Sequence, residues 1–382
     1  MSVRVVHIIV GLSVGGAELM LRRLIETQRE KRSDVEQQVI SLTNVGEVGS
    51  HLQAAGVSVT ALSMRSGLLA PLAFLRLVWL LRRLRPDIVQ TWMYHADLLG
   101  GLAARLIGCK KVIWGIRTTD IAKGGSRATA LVRWLCARLS WWVPSRIVCA
   151  AEAARRLHVE VGYCPDRMVV IPNGFDLTRL QAGAAEVAAL RQTCGLGPDV
   201  LVVGTLGRFN AVKDQQNFVR AAGVLAQQYP AVRFLMVGRD CDAANGVLAE
   251  WIAGTGFPQR FVLLGERQDA TVCLAAMDVF ALPSRTEGFP NVLAEAMAMS
   301  RPCVSTDVGD AALVLGDCGE VVPPEDAQAL ARALARLLDM PAEQRAALGV
   351  AGRKRIEQEF SMARCTERFA AVYEDVLARP GK

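Results

Sequence analysis

Pro283-Ser284-Arg285-Thr286-Glu287-Gly288-Phe289-Pro290-Asn291-Val292-Leu293-Ala294-Glu295-Ala296-Met297 is the stretch on which the fold turns. The run Asp278-Val279-Phe280-Ala281-Leu282 ahead of it reads as a short buried strand. A polar loop with Glu287 and Gly288 follows. Pro290 then suits the first turn of a helix, because it lacks only an N–H that would be unpaired anyway. Val292, Leu293, Ala296 and Met297 continue at helical spacing. Glu287 therefore stands just before a helix N-terminus, and Glu295 about two turns inside. The free backbone N–H groups between them make an anion site by geometry.

Upstream, Val200-Leu201-Val202-Val203-Gly204 opens a second run of β-α alternation and leads into Thr205-Leu206-Gly207-Arg208-Phe209-Asn210-Ala211-Val212-Lys213-Asp214. At the start of the chain, Val3 to Val10 is an apolar strand of parallel-sheet type. Gly11 to Gly16 is its loop, with Gly15-Gly16-Ala17-Glu18 at the end, and Ala17 to Arg29 reads as a helix. Strand, glycine loop and helix open a nucleotide fold. The loop is neither G-x-G-x-x-G nor a P-loop, which weighs against NAD and ATP. A tight turn needing positive φ is the plain alternative for its glycines.

Between these points strands and helices alternate. Asp87 to Trp92 runs into Met93-Tyr94-His95-Ala96-Asp97, and Lys111 to Ile116 ends at Arg117-Thr118-Thr119-Asp120. Ligands of open parallel sheets bind outside strand C-termini, so His95, Asp97, Arg117 and Asp120 are ligand-side candidates. Among four His, His7 falls in a core strand, and His51 and His158 in surface-like helices. His95 sits at a strand end, where it either serves a ligand or anchors its loop. Asp326 to Leu338 and Met362 to Leu377 read as amphipathic helices.

The totals set limits. At 382 residues with 52% hydrophobic content, two or three domains with full cores are expected. No apolar run of transmembrane length occurs, and no signal peptide is expected. Ten scattered Cys without zinc spacing read as free thiols of a reducing cytoplasm. Residues 1–180 hold 24 Lys+Arg and 13 Asp+Glu, and the remainder 20 and 24. A half near +11 joined to one near −4 implies an anionic partner for the first: a membrane, a phosphorylated acceptor or, with no helix-turn-helix, RNP or zinc-finger pattern in support, nucleic acid last. The segment 68–84 is apolar nearly all round and ends in Arg82, Arg83 and Arg85. In 127–142, Arg127, Trp134, Arg138 and Trp141 share a stripe that Trp142 adjoins. These suit a lipid interface, or else buried Trp with Arg stems over the core.

Two carboxylates flanking an anion site suit a ligand with a negative middle and hydroxyl-rich ends, such as a nucleotide diphosphate sugar. On spacing alone, an acidic first turn and a solvent-facing Glu remain the alternative. Three motifs in order (Gly15-Gly16, Arg208 and Lys213 five apart, and E-G-F-P-N-V-L-A-E-A-M from Glu287) resemble the retaining family 4 glycosyltransferases over nearly the whole chain. The resemblance implies a GT-B fold, two Rossmann-like α/β domains facing across a cleft. Residues 1–180 would bind acceptor and 181–358 the nucleotide-sugar, with the 359–382 helix returning to the first domain. Sugar would pass, with retention, from a UDP-linked donor to a hydroxyl of a lipid-linked glycan in cell-surface polysaccharide synthesis. By the same resemblance, Arg208 and Lys213 neutralise the leaving diphosphate, and Glu287 and His95 attend the sugar. Gly15, Gly16, Gly288, Phe289, Asn291 and Val292 approach the donor, Glu295 takes the ribose, and Arg239 and Arg267 lie by the base. His95 is the nearest match to the His that many members carry in this loop, and a family pattern with an earlier His would place it at Trp92. No metal is implied: in Asp240-Cys241-Asp242 the carboxylates read as helix capping or solvent-facing rather than as a metal-binding D-x-D. A cytoplasmic protein at the inner membrane face is expected. A UDP-sugar 2-epimerase of the same fold and a non-catalytic assembly partner are the rivals.

Overall fold

The computed structural model describes residues 2–31, 35–64, 70–118 and 127–379. It divides into two units, 1–174 with 362–382, and 175–361.

The first unit contains β1 (Val3–Ile9), α1 (Gly16–Lys31), β2 (Val35–Ser41), α2 (Gly46–Ala54), β3 (Ser58–Ala61), α3 (Ala70–Leu84), β4 (Ile88–Trp92), α4 (Tyr94–Leu106), β5 (Val112–Ile116), α5 (Arg127–Leu139), β6 (Arg146–Cys149), α6 (Glu152–Val161) and β7 (Met168–Val170). Its seven strands are all parallel, in the order β3-β2-β1-β4-β5-β6-β7. Strands covered on both faces are largely apolar, and β4 and β5 are buried at every position, the buried Gln90 and Thr91 of β4 being hydrogen-bonded.

The second unit contains α7 (Ala184–Thr193), β8 (Val202–Leu206), α8 (Gln215–Gln228), β9 (Arg233–Val237), α9 (Gly246–Ala253), β10 (Phe261–Leu263), α10 (Ala270–Ala275), β11 (Val279–Leu282), α11 (Asn291–Ala298), β12 (Cys303–Thr306), α12 (Ala311–Leu315), β13 (Gly319–Val322), α13 (Ala327–Asp339) and α14 (Ala342–Glu359). Its parallel sheet runs β10-β9-β8-β11-β12-β13. The chain then re-enters the first unit as α15 (Met362–Ala378).

In each sheet the strand order reverses once, between β1 and β4 and between β8 and β11. The loops leaving neighbouring strands part to opposite faces there and open a crevice. All three motifs leave such strands. Gly11–Gly16 follows β1, Arg208–Lys213 follows β8, and Glu287 follows β11.

α15 closes the first core. Phe369, Tyr373 and Val376 are buried against the sheet, the Trp92 and Phe369 rings stack at 6.2 Å, and the Tyr373 hydroxyl donates to Gln90 Oε1 at 2.5 Å. α14 is a helix that the periodicity does not foresee. Its apolar residues occupy no single face, and among its buried residues are Gly349, Gly352 and Ile356. It packs on α11 by close backbone approach. A Cβ on Gly349 would lie 2.1 Å from the Ser300 carbonyl oxygen.

Candidate functional site

Each unit has its own constellation. In the second, the loops after β8 and β11 are bonded together. Arg285 N–H donates to the Val212 carbonyl at 2.8 Å. The Arg285 guanidinium grips Asp214 with Nε and Nη2 at 2.8 and 3.2 Å. Asp214 caps α8 from a left-handed φ of 45°, accepting from Asn217 N–H. This fixes Lys213, one residue earlier. Its Nζ donates to Glu287 Oε1 at 2.6 Å, and the buried Ser284 hydroxyl donates to the same oxygen at 2.7 Å. The carbonyls of Glu287 and Gly288 rest on Gly309, where φ is 58° and a Cβ would lie 2.4 Å from the Gly288 oxygen. Neither Ser284, Asp214 nor Arg285 was expected at the site. Their adjacency to Glu287 and Lys213 is the signal that could have found them.

Arg208 differs from Lys213. Its backbone is held, since its carbonyl accepts from Gln215 Nε2 at 2.8 Å, but its side chain is exposed and makes no ion pair with a described residue. With Gly207, Gly238, Arg239, Glu266 and Arg267 it lines a groove of about 250 Å³ at the ends of β8, β9 and β10. Arg239 and Arg267 share that groove already neutralised, by Glu266 at 3.1 Å and Asp269 at 2.6 Å. Each pair holds its Arg more firmly protonated than usual. Net positive charge in this groove therefore comes from Arg208.

The helix after Glu287 starts at Asn291, with Pro290 as its cap. The Phe289 side chain turns away from the loop. It is buried against Phe175 and Phe360, ring centroids 6.1 and 5.6 Å off, so a ligand would meet only its backbone. Val292 is buried, Asn291 exposed and Glu295 half-buried. In the D-x-D stretch Asp240 is exposed and neither Asp caps a helix. The cap of α9 is Asn245, accepting from Leu248 N–H. Asp242 makes a turn by accepting from Ala244 N–H at 2.9 Å, and Asp240 has a φ of 61°.

In the first unit, Gly15 and Gly16 lie outside the positive-φ region, so the tight-turn account fails for both. A Cβ on Gly16 would meet nothing within 4 Å, and one on Gly15 would meet the Glu18 carboxylate. His95 stands in the first turn of α4, half-buried, and burial lowers its pKa. The turn that presents it contains Met93 at φ 72°, a strained position for a non-glycine residue.

Asp97 and Arg117 stand at the strand ends where the sequence reading placed them, but their side chains are engaged within the unit. Asp97 is wholly buried, its Oδ1 accepting from Thr91 Oγ1 at 2.5 Å and Gly115 N–H at 3.2 Å. It pins α4 to β4 and β5, out of reach of an acceptor. The Arg117 guanidinium lies 4.7 Å over Trp92 and 5.9 Å from Phe369, and donates to Asn173 Oδ1 at 3.1 Å. Burial lowers its pKa to about 10. It ties α15 to the sheet. Asp120 lies outside the described residues. His158 is buried rather than surface-like. Its Nδ1 faces the Ala154 carbonyl at 2.6 Å and so carries the proton, and Nε2 accepts from the Tyr94 hydroxyl at 2.6 Å.

These buried groups give the first unit a pH signature. Burial lowers His7 and His158 from 6.5 to about 4 and raises Asp97 from 3.8 to about 8. Between pH 4 and 6.5 the unfolded chain binds two protons on His that the fold lacks. The fold keeps one on Asp97 that the unfolded chain loses. The net difference of one makes stability rise with pH by about 1.4 kcal/mol per unit. Above pH 6.5 only Asp97 remains, the sign reverses, and stability falls by about the same slope to pH 8. Urea unfolding followed by Trp fluorescence should show a maximum near pH 6.5. Asp97→Asn should remove the fall above it; an unchanged alkaline limb would contradict the assignment.

The comparisons with known proteins agree with this arrangement. The Glycosyltransferase Family 4 model matches residues 14–179, and the Glycosyl transferases group 1 model residues 197–340. The chain is 30% identical over 326 residues to 2-deoxystreptamine glucosyltransferase of Streptomyces kanamyceticus, covering 79% of this chain and 81% of the relative. It is 28% identical over 269 residues to UDP-Gal:alpha-D-GlcNAc-diphosphoundecaprenol alpha-1,3-galactosyltransferase of Escherichia coli, covering 68% of each. Among solved structures, HepE of Anabaena in complex with UDP matches with a TM-score of 0.83 at 21% identity, over 97% of this chain and 100% of that one. Two family models in succession along two parallel-sheet units, with a relative at this identity, establish that the chain belongs to the family 4 glycosyltransferases and has the GT-B fold.

Proposed function

We propose that the protein transfers a sugar from a nucleotide diphosphate sugar to an acceptor hydroxyl, with retention of anomeric configuration. The observation that carries this reading is the pairing of Lys213 with Glu287 at the switch point of the second sheet, beside the exposed Arg208 and ahead of α11. Breaking the anomeric bond leaves charge on the diphosphate. Arg208 meets that charge without a carboxylate to cancel it. Lys213 has two further N–H donors beyond the one given to Glu287, and the first N–H groups of α11 add to them. Glu287, held by Ser284 and Lys213, offers its other oxygen to sugar hydroxyls. Glu295 receives the ribose. UDP and UDP-glucose are named in structures of HepE, and uridine is the base we assign to the donor. Gly16, with open space at its missing Cβ, and His95 are the residues of the first unit that this reading assigns to the donor sugar. The diphosphate needs no metal, because cations and helix N–H groups already face it and Asp242 is engaged in a turn.

The acceptor we assign is a lipid-linked glycan, and the first unit the part that meets an anionic membrane. On α3, Leu72, Leu75 and Trp79 are exposed on one stripe. Arg83 lies 5.7 Å over the Trp79 ring. On and after α5, Leu131, Trp134, Trp141 and Trp142 are exposed, with Arg138 at 5.4 Å from the Trp134 ring. Trp142 is 66% exposed, so the alternative of Trp buried under Arg stems fails. No helix among the described residues is long and apolar enough to cross a membrane. Interleaved Trp and Arg suit the headgroup level.

Labelled UDP-sugars incubated with a bacterial lipid extract in excess EDTA test the reading. Label should enter the lipid fraction with its anomeric configuration retained. Epimerised donor without transfer would establish the isomerase instead. Activity abolished by EDTA and restored by Mg²⁺ or Mn²⁺ would overturn the metal-free division of labour.

A further inference from the structure

At the strand N-terminal edge of the first sheet, opposite the end that carries Gly16 and His95, lies a cavity of about 480 Å³. Arg105, Lys110, Lys111, Arg167 and Arg379 line it with Trp142, and no carboxylate among the described residues does. Its position follows from the topology: Lys111 precedes β5, Ser145 precedes β6 and Arg167 precedes β7. Cations at a helix C-terminus answer the helix dipole, which accounts for Arg105 at the end of α4 and Arg379 just after α15, but not for Lys110 or Lys111.

Two of the guanidiniums, those of Arg105 and Arg167, are held without being neutralised. Arg105 Nη2 donates to the Trp142 carbonyl at 2.9 Å, and Arg167 Nη1 donates to the Pro144 carbonyl. A carbonyl fixes direction and cancels no charge. Arg379 is partly neutralised: Asp375 is shared by Arg146 at 2.9 Å and Arg379 at 3.3 Å. Leu106 and Trp142, 61% and 66% exposed, project beside the opening. A neighbouring cavity of about 380 Å³ adds Arg82 and Arg85 along the same edge. Concentrated positive charge in a concavity of ligand size, rimmed by an exposed indole, has the chemistry of a phosphate site at an interface.

We propose that this cavity binds the phosphate of an anionic phospholipid headgroup. The proposal rests on the membrane reading of the first unit and assigns it a stereospecific anchor remote from the reacting edge of the sheet. A cavity saturates with a soluble headgroup, whereas a diffuse basic face responds to ionic strength alone.

The test is flotation of the full-length protein with phosphatidylglycerol or phosphatidylcholine vesicles at low salt. The protein should float with the first and not the second. Glycerol 3-phosphate at millimolar concentration should displace it, and sodium chloride of equal ionic strength should not. Lys111→Gln with Arg379→Gln should lower partitioning about 30-fold, from the attraction of two cations near an anionic surface. Lys111→Arg should bind as the parent does. Arg220→Gln with Arg332→Gln, exposed cations of the second unit, controls for net charge and should change partitioning by less than about threefold. If the protein floats but both salts displace it equally, or the cavity variant matches the control, the cavity is not a headgroup site and the membrane reading stands. If the unaltered protein does not float, the membrane reading falls. Thermal stabilisation by glycerol 3-phosphate that the cavity variant lacks would then make the ligand a free phosphate compound, overturning the lipid source.

Discussion

Arg208→Ala is expected to lower turnover by about 10²–10³, the usual cost of losing one preorganised donor aimed at charge that develops in the transition state. The geometry makes this a clean substitution. The Arg208 side chain is exposed and in no ion pair with a described residue, and its loop is held through its own carbonyl by Gln215. Unfolding free energy should therefore change by no more than about 0.5 kcal/mol, as at other exposed sites. The loss should fall on kcat more than on donor affinity, because the diphosphate gains its charge as the anomeric bond breaks. Arg208→Lys keeps the charge but not the planar fork and should recover part of the rate. Kinetics on the purified variants decide it. A folded Arg208→Ala protein with parental turnover would remove Arg208 from the diphosphate.

Lys213 and Glu287 should fail together. Their contact is 2.6 Å, with side chains 24% and 11% exposed, so each orients the other before any donor arrives. Lys213→Ala leaves Glu287 a nearly buried carboxylate with the Ser284 hydroxyl beside it, and Glu287→Ala leaves the ammonium unaimed. Each single change should cost on the order of 10² in turnover. The double variant should cost little more than the worse single, not the product of the two, because groups acting as a unit are non-additive. A product of roughly 10⁴ would show that the two act on the donor independently, with the pair in this structure incidental to catalysis.

The sequence by itself determined the class of fold and the order of its motifs. Apolar runs such as Val112–Ile116 and Val279–Leu282 are buried at every position because a parallel sheet covered by helices on both faces gives them no solvent side. Strand-to-loop-to-helix punctuation placed Glu287 ahead of α11 and Lys213 ahead of α8, since Pro290 and Asp214 are local start signals that act without tertiary help. What periodicity cannot carry is which groups face each other across a reversal of strand order. The Lys213–Glu287 contact spans 74 residues, and the Arg285 grip on Asp214 spans 71. Asp97 and Arg117 show the same limit from the other side. A strand end marks both as ligand-facing, yet packing of α4 and α15 turns the first into a buried pin and the second into a cation on Trp92. Burial also decided the chemistry of His158, neutral and bonded to Tyr94 on a helix that reads as exposed. The helix α14 was lost to the sequence because it packs through Gly349 and Gly352, and close approach of backbones leaves no hydrophobic stripe to read. Local signals fixed the elements. The long-range closing of β8 on β11, and of α15 on the first sheet, fixed the partners, because burial and charge pairing are properties of the assembled neighbours and not of any one segment.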